Sequence, residues 1–223
     1  MLVPLFPPEP TVNRQIQQLP VLLNPQSQIV MLIQGTSTWL RWRQGGLGGS
    51  DMPQLMGVSP WGNPMTLWLE KTGLGKPKPV NWAMKRGTEM EPFARSSYID
   101  QTEIVIHPYC VQSSQYPWMK ASLDGLSFDG RTVVEIKVPG LRDHELACCD
   151  EIPPKYIPQC DYLLAITGAP VLHYYSYRSE EDWVLLEHYP DQTRIARMLA
   201  LADQFWSYVT RKEPLPSDFG ISR

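Results

Sequence analysis

Residues 121–139 read ASLDGLSFDGRTVVEIKVP, and the pair Asp129-Gly130 in their middle decides the local fold. Asp-Gly is a strong two-residue hairpin turn, because glycine accepts positive φ without steric penalty. With those two residues as the turn, Phe128 faces Arg131 and pairing runs outward until Asp124 lands opposite Glu135. Directly opposed residues share one face of a sheet, with Cβ atoms about 4.5–5.5 Å apart. Lys137 lies two residues beyond Glu135 and so points to the same face. Val134, Ile136 and Val138 point the other way, into a core. A bulge near Gly125 would shift this register by one residue. Apolar flanks on both sides mark the hairpin as central in its sheet.

Three charges on a central strand pair need a purpose. Two bare carboxylates this close repel each other. A divalent cation between them removes the repulsion, and hard oxygen donors suit Mg²⁺ or Mn²⁺. The competing reading is a salt-bridge ladder in which Lys137 bridges the two acids. That suits an exposed hairpin better than a central one.

Working outward, residues 1–30 are rich in Pro and Gln and read as an irregular arm. A compact domain is expected over 31–223. Ser50 is placed to cap a short helix that Gly57 ends. Asn63 followed by Pro64 starts a second helix, and residues 73–79 form a loop carrying Lys76 and Lys78. A third helix is expected over 81–98, with Pro92 kinking it or delaying its start. Strand patterns follow at 102–107, 118–128 and 131–138. Residues 153–167 have helical spacing, 171–178 and 183–189 form a strand pair, and 191–211 is a long amphipathic helix. That order describes an α/β (α+β) mixed sheet flanked by helices, without strict alternation.

Composition bounds the function. The chain has 223 residues, 43% hydrophobic and 19% charged, as an ordinary globular protein does. No run of about 18 apolar residues is present, so no membrane span is expected. The start has neither the basic region nor the cleavage site of a signal peptide, which makes the cytoplasm the expected compartment. A net charge of -3 argues against a protein coated in positive charge for nucleic acid, but not against binding in a channel. Cys110, Cys148, Cys149 and Cys160 form no C-x-x-C pair, which disfavours a zinc ribbon. An iron–sulfur cluster would need all four to converge, and idle thiols are the simpler reading. The four histidines are scattered, and nothing marks them as ligands or bases.

The hairpin resembles the D-x(n)-E-x-K signature of the PD-(D/E)XK nuclease superfamily. More closely, the chain resembles the viral recombinase family of the YqaJ and phage lambda exonuclease type. The resemblance rests on Trp39-Leu-Arg-Trp-Arg43, Gly48-Gly-Ser-Asp51, Arg86-Gly-Thr-Glu-Met-Glu-Pro92, Ser122-Leu-Asp-Gly125 and Tyr156-Ile-Pro-Gln159, in family order. Leu123 departs from the proline usual there, which removes a rigid element but no ligand.

The resemblance implies a restriction-endonuclease-like core and a 5′→3′ exonuclease. Such an enzyme digests one strand of linear duplex DNA and leaves a 3′ single-stranded tail for recombination by strand annealing. It implies that Asp124, Glu135, the backbone carbonyl of Ile136 and Glu91 hold Mg²⁺, two ions per site, with Mn²⁺ able to substitute. Lys137 would orient or deprotonate water and steady the developing charge, and Gln159 would lie near the water or metal. Arg43 and Ser50 would bind the 5′-phosphate and Ser122 the scissile phosphate. Met84 would pry the duplex end apart. The implied partners are DNA ends, two further copies of the chain in a homotrimeric ring, and a single-strand annealing protein, in a phage-encoded system of the bacterial cytoplasm. The alternatives are an endonuclease or iron–sulfur nuclease of the same superfamily, or an inactive module that binds DNA ends.

Overall fold

The computed structural model describes residues 19–75 and 82–220. Lys76 and Lys78, like residues 1–18, lie outside them. In chain order the elements are β1 (Ser27–Val30), α1 (Ser37–Gln44), a 3-10 turn (Gly49–Asp51), α2 (Met52–Leu55), α3 (Pro64–Thr72) and α4 (Trp82–Thr102). Then come β2 (Ile106–Ser113), β3 (Lys120–Ser127), β4 (Thr132–Lys137) and α5 (Leu141–Cys148). A second 3-10 turn (Pro154–Tyr156), α6 (Ile157–Thr167), β5 (Val171–Ser179), β6 (Asp182–His188) and α7 (Gln192–Arg211) complete the chain.

The strands form one six-stranded sheet in the order β1-β2-β3-β4-β5-β6. Neighbours are antiparallel except β4 and β5, which run parallel. A parallel pair needs a crossover connection, and α5 and α6 supply it. Both faces of the sheet are covered. On one, Val133, Leu123, Leu126 and Leu172 pack with Leu163 of α6 and Phe205 of α7. On the other, Val134, Ile136, Tyr175 and Tyr177 pack beneath Ala94 and Tyr98 of α4. The buried stripe of α7, Ile195, Met198, Ala202, Phe205 and Val209, follows helical spacing. Each of its large side chains contributes about 1.5–3 kcal/mol by leaving water.

The hairpin keeps its expected register with a different turn. Gly125 pairs with Val134 and Leu126 with Val133, the alignment a two-residue turn would give. The loop is wider, however. Gly130 N–H donates to Ser127 O at 3.0 Å, and Thr132 N–H donates to the Ser127 hydroxyl at 2.9 Å. Asp129 accepts from Ser127 Oγ and from Arg131 N–H. These side-chain bonds replace the ladder bonds next to the turn, and Gly130 takes the left-handed conformation (φ 71°).

Several expectations are corrected. Ser27–Val30, placed in the irregular arm, is an edge strand paired with β2. The strand expected at 102–107 begins only at Ile106 and runs to Ser113, because α4 extends to Thr102. Nor is the start of α4 delayed by Pro92, which lies inside the helix. Proline forfeits its own N–H bond and crowds the carbonyl one turn back, and burial of Ala94, Ser97 and Tyr98 just beyond it outweighs that cost. Ser50 caps no helix: Asp51 Oδ2 accepts the Gly48 N–H at 2.8 Å instead. Asn63 does cap α3, accepting from Thr66 N–H at 2.9 Å. Val138 is half-buried and faces a cavity rather than the core.

Candidate active site

Past Gly125 the β3–β4 ladder stops, and β3 bulges. His107 of β2 pairs with Leu126 but Tyr109 pairs with Leu123, so β3 carries one residue too many. Leu123 and Leu126 therefore both reach the same core, and Asp124 is re-aimed between them, as bulges do beside functional sites. Asp124 Oδ2 accepts the Ile136 N–H at 2.8 Å. Its own carbonyl accepts from Arg95 Nε of α4 at 2.8 Å. Asp124 and Glu135 are thus neighbours as expected, joined through the backbone of β4 rather than as a ladder pair.

Glu135 is 2% exposed. Its Oε1 accepts from Lys137 Nζ at 2.5 Å and from Gln159 Nε2 at 2.6 Å. Gln159 Oε1 in turn accepts from Lys137 Nζ at 3.2 Å, which closes a triangle between β4 and α6. The other oxygen, Oε2, is buried with no hydrogen-bond partner. An uncompensated buried carboxylate oxygen is costly. Burial, and then the negative charges of Glu135 and Glu91, push the Asp124 carboxyl well above its ordinary range. Burial pulls the Lys137 ammonium down, but Glu135 and Asp124 outweigh it, and the net shift is upward. The Tyr156 ring lies 4.9 Å from Lys137 Nζ, and burial raises the Tyr156 hydroxyl to about 12.

Glu91 stands one turn before Arg95 on α4 and pairs with its guanidinium. Among the described residues no group of three or more His, Cys, Asp or Glu side chains stands assembled to hold a metal ion. The four cysteines form no such group either: Cys110 and Cys160 are buried, Cys148 and Cys149 exposed.

A cavity of about 870 Å³ opens over this cluster. Arg43, Ser50, Met84, Glu91, Ser122, Asp124, Glu135, Ile136, Lys137 and Gln159, all the residues singled out from the sequence, line it. Arg43 Nη2 donates to Ser50 Oγ at 2.8 Å, and its guanidinium lies 4.8 Å from the Trp39 ring. Trp39 Nε1 donates to Ser122 Oγ at 2.7 Å. One indole therefore ties the arginine–serine pair to the strand that carries Asp124. An arginine fork beside two hydroxyls is suited to a phosphate.

Trp61, Asp143 and Lys120 are among the lining residues that sequence reasoning missed. Trp61 projects from the loop before α3, and Asp143 comes from α5. Lys120 is buried, with its Nζ donating to the carbonyls of Trp42 and Gly45 at 2.8 Å each. Gly46 leaves room for its stem: a Cβ there would lie 2.8 Å from Lys120 Cδ. No local pattern distinguishes this lysine from a solvated one.

The profile of the YqaJ-like viral recombinase domain matches residues 38–170. The uncharacterized protein YqaJ of Bacillus subtilis (strain 168) is 26% identical over 142 residues, 58% of this chain and 42% of that protein. The match thus spans less than half of the relative's length. Among solved structures, the alkaline exonuclease LHK-Exo from Laribacter hongkongensis is 25% identical, with a TM-score of 0.68 over 80% of this chain and 94% of its own. LHK-Exo in complex with dAMP gives 0.69 over the same shares, again at 25% identity. A phage related exonuclease from Haemophilus somnus 129PT, at 9% identity, has a TM-score of 0.57 over 75% of this chain and 96% of its own, and so shares the fold.

Proposed function

The chain belongs to the YqaJ-like viral recombinase domain family, and from that premise we propose that it is a metal-dependent deoxyribonuclease acting 5′→3′ from the ends of linear double-stranded DNA. The observation that carries the reading is the convergence in one cavity of an acid pair, an ammonium and an arginine–hydroxyl pair. The first two suit phosphodiester hydrolysis and the last suits a terminal phosphate. The likeness to LHK-Exo, an alkaline exonuclease, supports the nuclease part of this reading.

The donor set fits a hard divalent cation. Glu135 Oε2 is buried without a partner, and burial, then the charges of Glu135 and Glu91, push the Asp124 carboxyl upward. Both strains are relieved when positive charge enters. Asp124, Glu135 and the Ile136 carbonyl would hold Mg²⁺ or Mn²⁺, with Glu91 joining once released from Arg95. One or two such ions would supply the Lewis acidity that activates water and neutralises the leaving oxygen.

The chain's own groups do the rest. Lys137, kept charged by Glu135 and Asp124, steadies negative charge as it develops on the phosphate. Gln159 holds both Glu135 and Lys137 in place and orients the water. Arg43 and Ser50 bind the 5′-phosphate and Ser122 the scissile phosphate, while Met84, half exposed at the cavity mouth, wedges the duplex end. The product is a 3′ single-stranded tail, passed to a strand-annealing protein. A homotrimeric ring around the DNA completes the reading, and it rests on the family resemblance.

Digestion of 5′-phosphorylated linear duplex with Mg²⁺ tests the assignment. Wild type should release mononucleotides and leave closed circles intact. Lys137→Ala and Asp124→Ala should each lose about two orders of magnitude or more in kcat, the scale of removing one charge-stabilising group. Variants as active as wild type would sink the assignment.

A further inference from the structure

Trp61 is 65% exposed, yet it is not on a loose loop. The N–H groups of Val58 and Ser59 both donate to Pro53 O at 3.0 Å, and Trp61 N–H donates to Ser59 Oγ at 3.1 Å. Gly62 presses so close to α2 that a Cβ there would lie 2.2 Å from Gln54 Oε1. Asn63 then locks the start of α3. The loop is tied to two helices, and it holds a large apolar ring at the wall of the cavity, in water.

What lies behind the ring is also fixed. Lys155 Nζ sits 4.7 Å from the Trp61 ring centroid and 5.1 Å from that of Tyr156. Asp143 pairs with this ammonium at 2.6 Å and accepts from the Tyr156 hydroxyl at 3.4 Å. Tyr156 in turn carries Lys137, 4.9 Å from its ring. Ring and cation alternate from the cavity wall to the ammonium beside Glu135: Trp61, Lys155, Tyr156, Lys137. Such contacts strengthen where water is excluded, and Lys155 and Asp143 are mostly buried.

A rigid indole backed by a cation presents a flat π surface to whatever enters the cavity. Nucleobases are flat, and stacking accepts any of them, because every base has a π-face. We propose that Trp61 is a stacking subsite for an unpaired nucleobase of the DNA end, with Lys155 and Asp143 as its fixed support. The proposal rests on the nuclease reading above and adds to it a contact with the base rather than the phosphate.

The test crosses protein and DNA changes. Wild type, Trp61→Phe and Trp61→Ala are given 5′-phosphorylated duplexes that are natural, or abasic near the end in the 5′-ended strand, or abasic in its complement. On natural DNA Trp61→Ala should raise KM about tenfold, the scale of one lost base–aromatic stack, with kcat unchanged, and Trp61→Phe should recover most of it. Removing the stacked base should raise KM for wild type and leave Trp61→Ala unaffected. The strand in which this coupling appears identifies the base. Equal sensitivity of wild type and Trp61→Ala to both abasic duplexes, or an unchanged KM in Trp61→Ala, overturns the subsite. Fluorescence anisotropy of the same duplexes without added metal reads stacking apart from cleavage. A wild type that binds with this coupling but does not cut would sink the nuclease reading and leave the subsite standing; one that does not bind DNA ends sinks both.

Discussion

Gly125 shows how closely the site depends on single atoms. A Cβ at this position would lie 2.3 Å from Ile106 Cδ1 and 3.1 Å from Ile106 Cβ, in the fully buried cluster beneath α4. Neither the strand backbone nor the packed isoleucine can yield much. Gly125→Ala should therefore lower stability by about 1–3 kcal/mol, the usual effect of overpacking. It should also shift Asp124, its neighbour in the bulge, and so reduce activity. Ile106→Val removes the nearest atom, so the double variant should recover part of the loss. Urea midpoints of the four proteins measure this, and a Gly125→Ala midpoint equal to wild type would refute the account. At this scale the sequence was informative where chemistry repeats a known pattern, as Asp124, Glu135, Lys137 and Gln159 do. Trp61 and Lys120 escaped it because their roles depend on distant residues. Lys120 meets Trp42 and Gly45, and Trp61 meets Lys155, each far off in the chain.

Between elements, the joint of α6, β6 and α7 holds the helix that carries Gln159. Asp161 on α6 is 2% exposed. It accepts from His188 Nε2 at 2.8 Å and from Arg194 Nε and Nη2 at 2.8 and 3.1 Å. Burial by itself would raise the Asp161 carboxyl, but the bonds from His188 and Arg194 outweigh it and the net shift is downward. A carboxyl lowered on folding stabilises at pH values above its unfolded range and loses that contribution as pH falls through its folded value. Asp161→Asn should thus cost about 1.5–3 kcal/mol at neutral pH, and the difference should shrink below about pH 4. Urea unfolding at pH 7 and pH 3 checks the sign; a gap that stays constant would show that ionisation of Asp161 is not what stabilises the joint. Elements with strong local signals were legible, among them α3 with its Asn63-Pro64 start and α7 with its apolar stripe. Elements lacking such signals were not. β1 is a short edge strand that exists because β2 pairs with it. Pro108 masked the interior of β2 (Ile106–Ser113), and α5 has no side-chain cap to announce it.

If the substrate is DNA, as proposed above, the whole molecule must reconcile a net charge of -3 with a polyanion. An enzyme that gripped DNA by neutralising many phosphates would lose affinity steeply with salt, about three to five orders of magnitude between 50 and 200 mM for six to ten contacts. Twenty basic side chains against 23 acidic ones leave little surplus for such a grip. Arg43 and the buried Lys120 at the cavity are local exceptions. A closed ring of three chains would solve the problem differently, since topology holds a threaded duplex whatever the ionic strength. The two designs separate in time. If three copies encircle the DNA, salt added before the enzyme should suppress initiation, because capture of the end is electrostatic. The same salt added after digestion has begun should leave the elongation rate and the length digested per event nearly unchanged. Single-turnover digestion of long duplexes, with a salt jump before or after mixing, reads both. Elongation that stops at the jump would show that charge and not closure retains the DNA, and the ring would have to be abandoned even with the nuclease chemistry intact.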